Sequence, residues 1–267
     1  MIVCQFEDEQ LIGIAPFTLG TLRRYGQTVN QLGFIGSRWE ADRPVLLFGA
    51  RFDDCLAACL QYLLAHRSLW QRAYFYEQVD DERLRLIQDG FRRAGYLVGS
   101  LPDSLCPTIR ISGTWTAFMA GKSRKFRKNL EAAEKKLRAI GDLHYAVHTE
   151  VTATLKALDT HRDLESRSWK AAAGVGIGRC DAYFEFYREL ATVLTPQGHF
   201  VTRTLSAGGQ PVASTFGLLF NRSFFSLQIV HDDAFSKASP GTYLESLELK
   251  ECFEVGLQEY DFLGGFL

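Results

Sequence analysis

Residues 228–242 read QIVHDDAFSKASPGT. An apolar run ends at Val230, a polar loop follows, and Ser239-Pro240-Gly241 opens a helix. Each residue at that opening has a local reason to be there. The hydroxyl of Ser239 is suited to cap a first helical turn. Pro240 fits the first helical position, where the N–H it lacks would have no partner. Gly241 has no side chain to hold a ligand off the backbone. A strand, a loop and a helix start with free N–H groups at the positive end of the dipole make an anion site, suited to the pyrophosphate of a nucleotide cofactor. The plain alternative is a well-capped helix and nothing more.

Working outward, the strand Ser223–Val230 closes a meander. Phe200–Leu205 and Pro211–Phe220 flank the loop 206–210, and Asn221-Arg222 is a two-residue turn. The helix Pro240–Val255 and the strand Tyr260–Leu263 follow. The start of the chain runs in the same order. Met1–Phe6 and Leu11–Leu19 are strands around the turn 7–10, Val29–Ile35 is a third, and Arg51–Leu64 has helical periodicity before a strand at Ala73–Val79. The residue identities do not match between the two ends. The shared order predicts a mixed α/β (α+β) chain of two related halves. The expected divisions are 1–120, 121–195 with the connecting helices, and 196–267.

Composition narrows the class. The 267 residues carry 30 Lys and Arg against 31 Asp and Glu, a net charge of −1. A surface that tracks nucleic-acid phosphates needs a large positive excess, so general DNA binding is not expected. No run of about 20 apolar residues spans a membrane, and MIVCQFEDEQ is no signal peptide, so a cytoplasmic location is the expectation. The six cysteines have no Cys-x-x-Cys pair and no zinc spacing, and read as reduced packing residues with no metal site. One segment departs from the neutral average: residues 122–138 hold eight Lys or Arg and two Glu. That basic helix, with Phe126, Leu130, Ala133, Leu137 and Ile140 on one face, either meets an anionic partner or is a solvated face with ion pairs such as Glu134–Arg138.

Four segments taken in order carry a resemblance: SRKFRKNLEAAEKKLRAIG from Ser123, SWKAAAGVGIG from Ser168, the meander into HDDAFSKASPGTYL, and EVGLQEYDFLGG from Glu254. Over roughly residues 100–265 the chain resembles the cellulose-biosynthesis-type acetyltransferases, a branch of the GNAT superfamily related to the Fem-type aminoacyltransferases. The resemblance implies tandem GNAT-like halves. In such a core two strands splay apart, pantetheine lies between them, and the pyrophosphate sits on the following loop and helix start. Acetyl-CoA or another acyl-CoA is then the co-substrate. The implied cofactor residues are Gln228, Ile229, Val230, Lys237, Ser239, Pro240, Gly241, Thr242 and Tyr243. No glycine-led loop precedes the helix at Arg51, so the first half is expected to be a degenerate copy without cofactor. Members of that branch continue past Asp-Phe-Leu-x-Gly with a further strand containing Tyr, Lys and Trp, which makes a truncated C-terminal half an expectation.

Acyl transfer of this kind needs a base and an oxyanion site rather than a covalent nucleophile. One candidate group is His231-Asp232-Asp233, with His231 and Asp233 as acid–base residues; the resemblance places an Asp at position 233. Its alternative reading is the start of a turn. The other is His161, Glu165 and Trp169, at i, i+4 and i+8 of a helix expected over Thr152–Lys170. There Glu165 would be the base, Trp169 the floor of an acceptor pocket, His161 a substrate contact and Lys170 a holder of an acidic group. Its alternative is a solvated face with an anchoring Trp. The implied acceptor is a small molecule or saccharide with an amine or hydroxyl, in polysaccharide or cell-envelope metabolism. Two rivals stand beside it: a Fem-type enzyme using aminoacyl-tRNA along the basic helix, and a non-catalytic scaffold of an exopolysaccharide system.

Overall fold

A computed structural model describes residues 1–24, 26–36, 44–49, 51–76, 78–79, 81–101 and 105–264. Gly265, which ends the EVGLQEYDFLGG segment, and the chain end at 266–267 lie outside the described residues. The chain forms two compact units, Met1–Leu105 and Cys106–Gly265.

In the first unit, β1 (Ile2–Glu7), β2 (Gln10–Arg24) and β3 (Gln27–Phe34) form an antiparallel meander. The first turn is two residues long, with Asp8 and Glu9 both at positive φ, the mirror-image geometry that matches strand twist. The short β4 (Leu47–Phe48) pairs with β2. Helix α1 (Phe52–Ala65) crosses to β5 (Arg72–Ala73), which runs parallel to β3. Tyr74 adds one further backbone bond to Leu32, but the strand stops far short of the expected Val79. Helix α2 (Glu82–Arg93) starts on the Asp81 side chain, which accepts from the Leu84 N–H. The core is aromatic, as a chain with 20 Phe suggests: Phe17, Phe34, Trp70 and Phe91 are buried with Leu32, Leu56 and Leu63.

The second unit holds a six-stranded sheet in the order β6-β11-β10-β9-β8-β7. Its elements in chain order are β6 (Thr108–Arg110), α3 (Trp115–Ala120), α4 (Arg124–Arg138), β7 (Leu143–His148), α5 (Val151–Ser166), α6 (Trp169–Ala173), α7 (Asp181–Leu194), β8 (Phe200–Ala207), β9 (Gln210–Phe220), β10 (Ser223–His231), α8 (Pro240–Glu254) and β11 (Glu259–Asp261). Strands β8, β9 and β10 are an antiparallel meander, and β11 runs parallel to β10 after α8. The same order of meander, helix and parallel strand therefore occurs in both units. The loop expected over 206–210 is tighter than its sequence suggests, because β8 and β9 extend to a Gly208-Gly209 turn at positive φ. The Asn221-Arg222 turn has the expected two residues, both left-handed.

Helices cover both faces of this sheet. Alternate residues of β8 and β9 divide the core: Phe200 and Phe216 pack with Leu158, Phe184 and Tyr187 of α5 and α7. Leu205, Val212 and Ala213 pack on the other face with Ala133 and Leu137 of α4 and Leu244 of α8. Helix α4 is capped by the Ser123 hydroxyl on the Phe126 N–H. Its apolar stripe is narrower than expected. Ala133 and Leu137 are buried and Leu130 is half-buried, whereas Phe126 and Ile140 are exposed at the ends. The Glu134–Arg138 pair forms at 2.8 Å. Cys55, Cys59 and Cys252 are buried packing residues, as expected, whereas Cys4 and Cys180 are exposed. Among the described residues no helix is long and apolar enough to cross a membrane, and no group of His, Cys, Asp and Glu is arranged to hold a metal.

Candidate functional site

Strands β10 and β11 share only three rungs, Ser223–Glu259, Phe224–Tyr260 and Phe225–Asp261. Beyond them β11 turns toward β6, where the Phe262 N–H donates to Pro107 O. The second half of β10, from Ser226 to His231, keeps its bonds to β9 but pairs with no strand on the β11 side among the described residues. A bulge at Leu227, between Ser226 and Gln228 in the register, sharpens the divergence. The result is a wedge-shaped opening in the sheet, lined by the unpaired edge of β10.

Past the bulge the side chains of β10 alternate between the two faces of the sheet. Ile229 and His231 lie against the start of α8, and a Cβ placed on Gly241 would come within 3.3 Å of His231 Nδ1 and 4.0 Å of Ile229 Cδ1. Gln228 faces the other way, accepting from Lys170 Nζ at 2.8 Å. Of the expected cofactor residues, Gln228, Ile229 and Gly241 therefore gather, with His231 and Lys170, on the two sides of one strand edge.

The opening of α8 differs from its sequence reading in three respects. Ser239 does not cap the helix with its hydroxyl; it is left-handed, φ 51°, and its carbonyl receives the first helical bond, from the Tyr243 N–H at 3.1 Å. Tyr243 thus spends its N–H inside the helix, and its buried ring packs in the core with α4 rather than facing a ligand. The N–H groups of Gly241 and Thr242 remain, with no protein acceptor among the described residues. Finally, the missing side chain of Gly241 lets the helix start close on β10, since an added Cβ would meet His231 and Ile229. Pro240 is buried at the first helical position, while Thr242 and Lys237 are exposed. The preceding 3₁₀ turn over Asp233–Ala238 is tied to α4 by Lys136 Nζ, which donates to Lys237 O at 2.8 Å.

Of the acidic pair after His231, Asp232 is the structural member. Its side chain is buried, accepts from the Ala234 N–H at 2.9 Å to cap the 3₁₀ turn, and pairs with Arg167 Nε at 2.8 Å. Asp233 stays exposed, with Oδ1 3.7 Å from His231 Nε2, so those two candidates do lie side by side at the end of β10.

The second candidate group does not share one helix face. The helix expected over 152–170 breaks at Arg167, and Ser168 caps a separate helix α6 by accepting from the Lys170 N–H. The break sends Trp169 to the surface, 58% exposed, while His161 and Glu165 are buried. Glu165 is committed to structure. Its Oε1 accepts from the Ile177 N–H at 3.1 Å and its Oε2 from the Gly178 N–H at 2.8 Å. The SWKAAAGVGIG segment is thereby explained: Gly176 adopts φ 95°, and a Cβ there would sit 2.5 Å from Glu165 Oε1. Burial raises the Glu165 carboxyl, but His161, the Gly178 N–H and Lys170 at 3.6 Å outweigh it and hold the group below its usual range. His161 Nδ1 bonds Ser214 Oγ at 3.2 Å, and burial lowers the imidazole below its ordinary value. Burial likewise lowers the Lys170 ammonium against the opposing pull of Glu165.

A third group was not singled out in the sequence. Arg203 of β8, 1% exposed, binds Glu248 Oε2 at 3.2 Å and both oxygens of Glu251 at 2.9 and 3.0 Å, beneath the Phe224 ring. The Tyr260 hydroxyl donates to Glu248, and the Tyr145 hydroxyl donates to Glu251 at 2.5 Å. This network anchors β11 to α8 at the closed end of the wedge. Its signal in the sequence was the spacing Glu245, Glu248 and Glu251 along one helix, which stands out only once a cation is known to lie opposite.

A family model described as an acetyltransferase (GNAT) domain matches residues 124–266. Curated protein sequences give no match. Among solved structures the chain is similar in fold to FemX, with 11% identity, a TM-score of 0.60, and 99% of this chain and 80% of that one covered. It is also similar to L-PGS from Bacillus licheniformis, with 12% identity, a TM-score of 0.55, and 98% and 67% covered. A conserved protein of unknown function from Bacteroides thetaiotaomicron VPI-5482 gives 13% identity, a TM-score of 0.53, and 94% and 74% covered.

Proposed function

Because the chain belongs to the acetyltransferase (GNAT) domain family, we propose that it transfers an acetyl or other acyl group from acyl-CoA to an amine or hydroxyl acceptor in the cytoplasm, with the second unit holding the donor. The observation that carries this reading is the wedge between β10 and β11 together with the free Gly241 and Thr242 N–H groups at its open end. An extended pantetheine arm fits a strand edge whose backbone groups have no neighbour. A pyrophosphate fits two unspent N–H groups at a helix start, where the dipole favours negative charge. The left-handed Ser239 is consistent with such a site, since a non-glycine residue in that conformation carries local strain of about 1–2 kcal/mol. Lys237 supplies an exposed cation on the same loop. His231 and Asp233 lie side by side at the end of the edge strand, an imidazole and a carboxylate for an acceptor's polar groups to contact. On the opposite face, Lys170, Gln228 and the exposed Trp169 offer a charged and aromatic surface for the acceptor, suited to a sugar ring of a polysaccharide or cell-envelope precursor. The first unit repeats the order of meander, helix and parallel strand.

A second reading is favoured by one observation. The basic helix α4 is joined to the donor loop through Lys136, so a polyanion lying along α4 would end at the wedge. An aminoacyl-tRNA is a donor of that kind. Calorimetric titration of coenzyme A, acetyl-CoA and tRNA separates the two. Acyl-CoA dependence predicts saturable coenzyme A binding that weakens severalfold in Lys237→Ala, more at low salt than at high. Binding of tRNA with a steep salt dependence, and of no coenzyme A form, would select the aminoacyl donor instead.

A further inference from the structure

Helix α8 presents one face to the wedge, and its ends are fixed by contacts. Gly241 lies against Ile229 and His231, and Glu248 meets the Tyr260 hydroxyl and Arg203. Glu245 is four residues after the first and three before the second, so it occupies the same face between them. That position lies over the point where β10 and β11 part, and the Glu245 charge acts on Tyr260 of β11. Glu245 is partly buried, yet its carboxylate makes no hydrogen bond or ion pair to any described residue. Its neighbour Glu248 is satisfied by Arg203 and by Tyr260. A carboxylate left without partners at the throat of a cleft, while the one next to it is fully engaged, has no evident structural duty.

We propose that Glu245 is the proton carrier of acyl transfer in this chain, a role that rests on the acyl-CoA reading above. The acceptor nitrogen or oxygen forms its bond to the thioester carbonyl carbon, and the carbon–sulfur bond breaks. The Glu245 carboxylate takes the proton the nucleophile loses and returns it to the departing thiolate sulfur, so the residue ends as it began. One group presses on its charge directly. Burial and the Glu248 carboxylate together push the Glu245 carboxyl up to about 7, where both protonation states are populated in neutral solution. Other groups stand nearby: Tyr260 from β11 feels the Glu245 charge, Arg203 from β8 binds Glu248 and Glu251, and His231 from β10 lies against Gly241. Helix α4 presents Glu134 and Arg138 beside Tyr243.

The test uses the full chain with coenzyme A and acetyl-CoA as ligands and hydroxylamine as the nucleophile. A thioester lying against Glu245 desolvates it further, so binding near neutral pH takes up protons, read by calorimetry in buffers of different ionisation heat. Wild type should show that uptake. Glu245→Gln should bind coenzyme A within about threefold of wild type, without the uptake, and release thiol from acetyl-CoA at least 100-fold more slowly. Glu245→Asp, which restores a proton site, should recover part of both. Uptake that persists in Glu245→Gln, or equal thiol release by wild type and Glu245→Gln, overturns the proposal while coenzyme A binding leaves the acyl-CoA reading standing. If wild type binds no coenzyme A form, that reading fails first, and this one with it.

Discussion

Replacing Arg203 by leucine tests whether one buried cation holds the closed end of the wedge together. Arg203 is 1% exposed and faces Glu248, 0% exposed, and Glu251. Without the guanidinium, Glu248 keeps the Tyr260 hydroxyl as a hydrogen-bond donor but loses its counter-charge. Breaking a buried ion pair from one side costs about 3–5 kcal/mol, because the remaining charge has neither water nor partner. The pH dependence has a definite sign. In the native chain burial already raises the Glu248 carboxyl against the opposing pull of Arg203, and removing Arg203 raises it further above the unfolded value of 4.5. Between those two values the folded state binds more protons than the unfolded state, so stability falls as pH rises through the window. Urea unfolding should therefore show Arg203→Leu destabilised by about 3–5 kcal/mol at neutral pH and by less as the pH falls toward about 5. The double variant Arg203→Leu with Glu248→Leu should recover most of the loss, since it removes the fully buried carboxylate and leaves only Glu251, which is 25% exposed and keeps the Tyr145 hydroxyl. A loss below about 1 kcal/mol at neutral pH, or one that grows on acidification, would refute the argument.

Two further predictions concern the loops that shape the site. Asp232→Ala removes both the cap of the 233–238 turn and the partner of Arg167, and should cost about 1–2 kcal/mol in urea unfolding; Asp232→Asn, which keeps an acceptor for the Ala234 N–H, should cost distinctly less. Gly176→Ala forces an alanine to φ 95° and sets its Cβ 2.5 Å from Glu165 Oε1, so a loss of at least about 2 kcal/mol is expected, whereas Gly174→Ala meets no atom within 4 Å and should cost about 1 kcal/mol from its backbone angle alone. Equal losses in the two glycine variants would mean that the Glu165 contact is not what fixes the loop.

Much of the strand order was legible because alternation, turn residues and helix breaks act locally. The Asp8-Glu9 and Asn221-Arg222 turns, the helix from Pro240 and the repeated order of meander, helix and strand all follow from neighbouring residues. The candidate site was legible in part. His231, Asp233, Gln228 and Gly241 do gather at the end of β10, because a strand, its loop and the next helix start are joined by a few residues of chain. The grouping of His161, Glu165 and Trp169 was misread, because helical spacing continues smoothly through Arg167-Ser168 and only the Ser168 cap marks the break.

Periodicity and residue types within a turn or two of one another fixed the class of the chain and its succession of elements, and singled out the start of α8 as a candidate anion site. Only the tertiary structure decided which carboxylates are free to act. Glu165 is spent on the 177–178 backbone, Asp232 on a cap and Arg167, and Glu248 on Arg203 and Tyr260, while Glu245 is left without a partner. Those partners lie between 2 and 65 residues away along the chain, and all but the nearest belong to other elements. A glutamate's chemistry is set by burial and by the charges facing it across a sheet, and neither quantity is encoded in its neighbours along the chain.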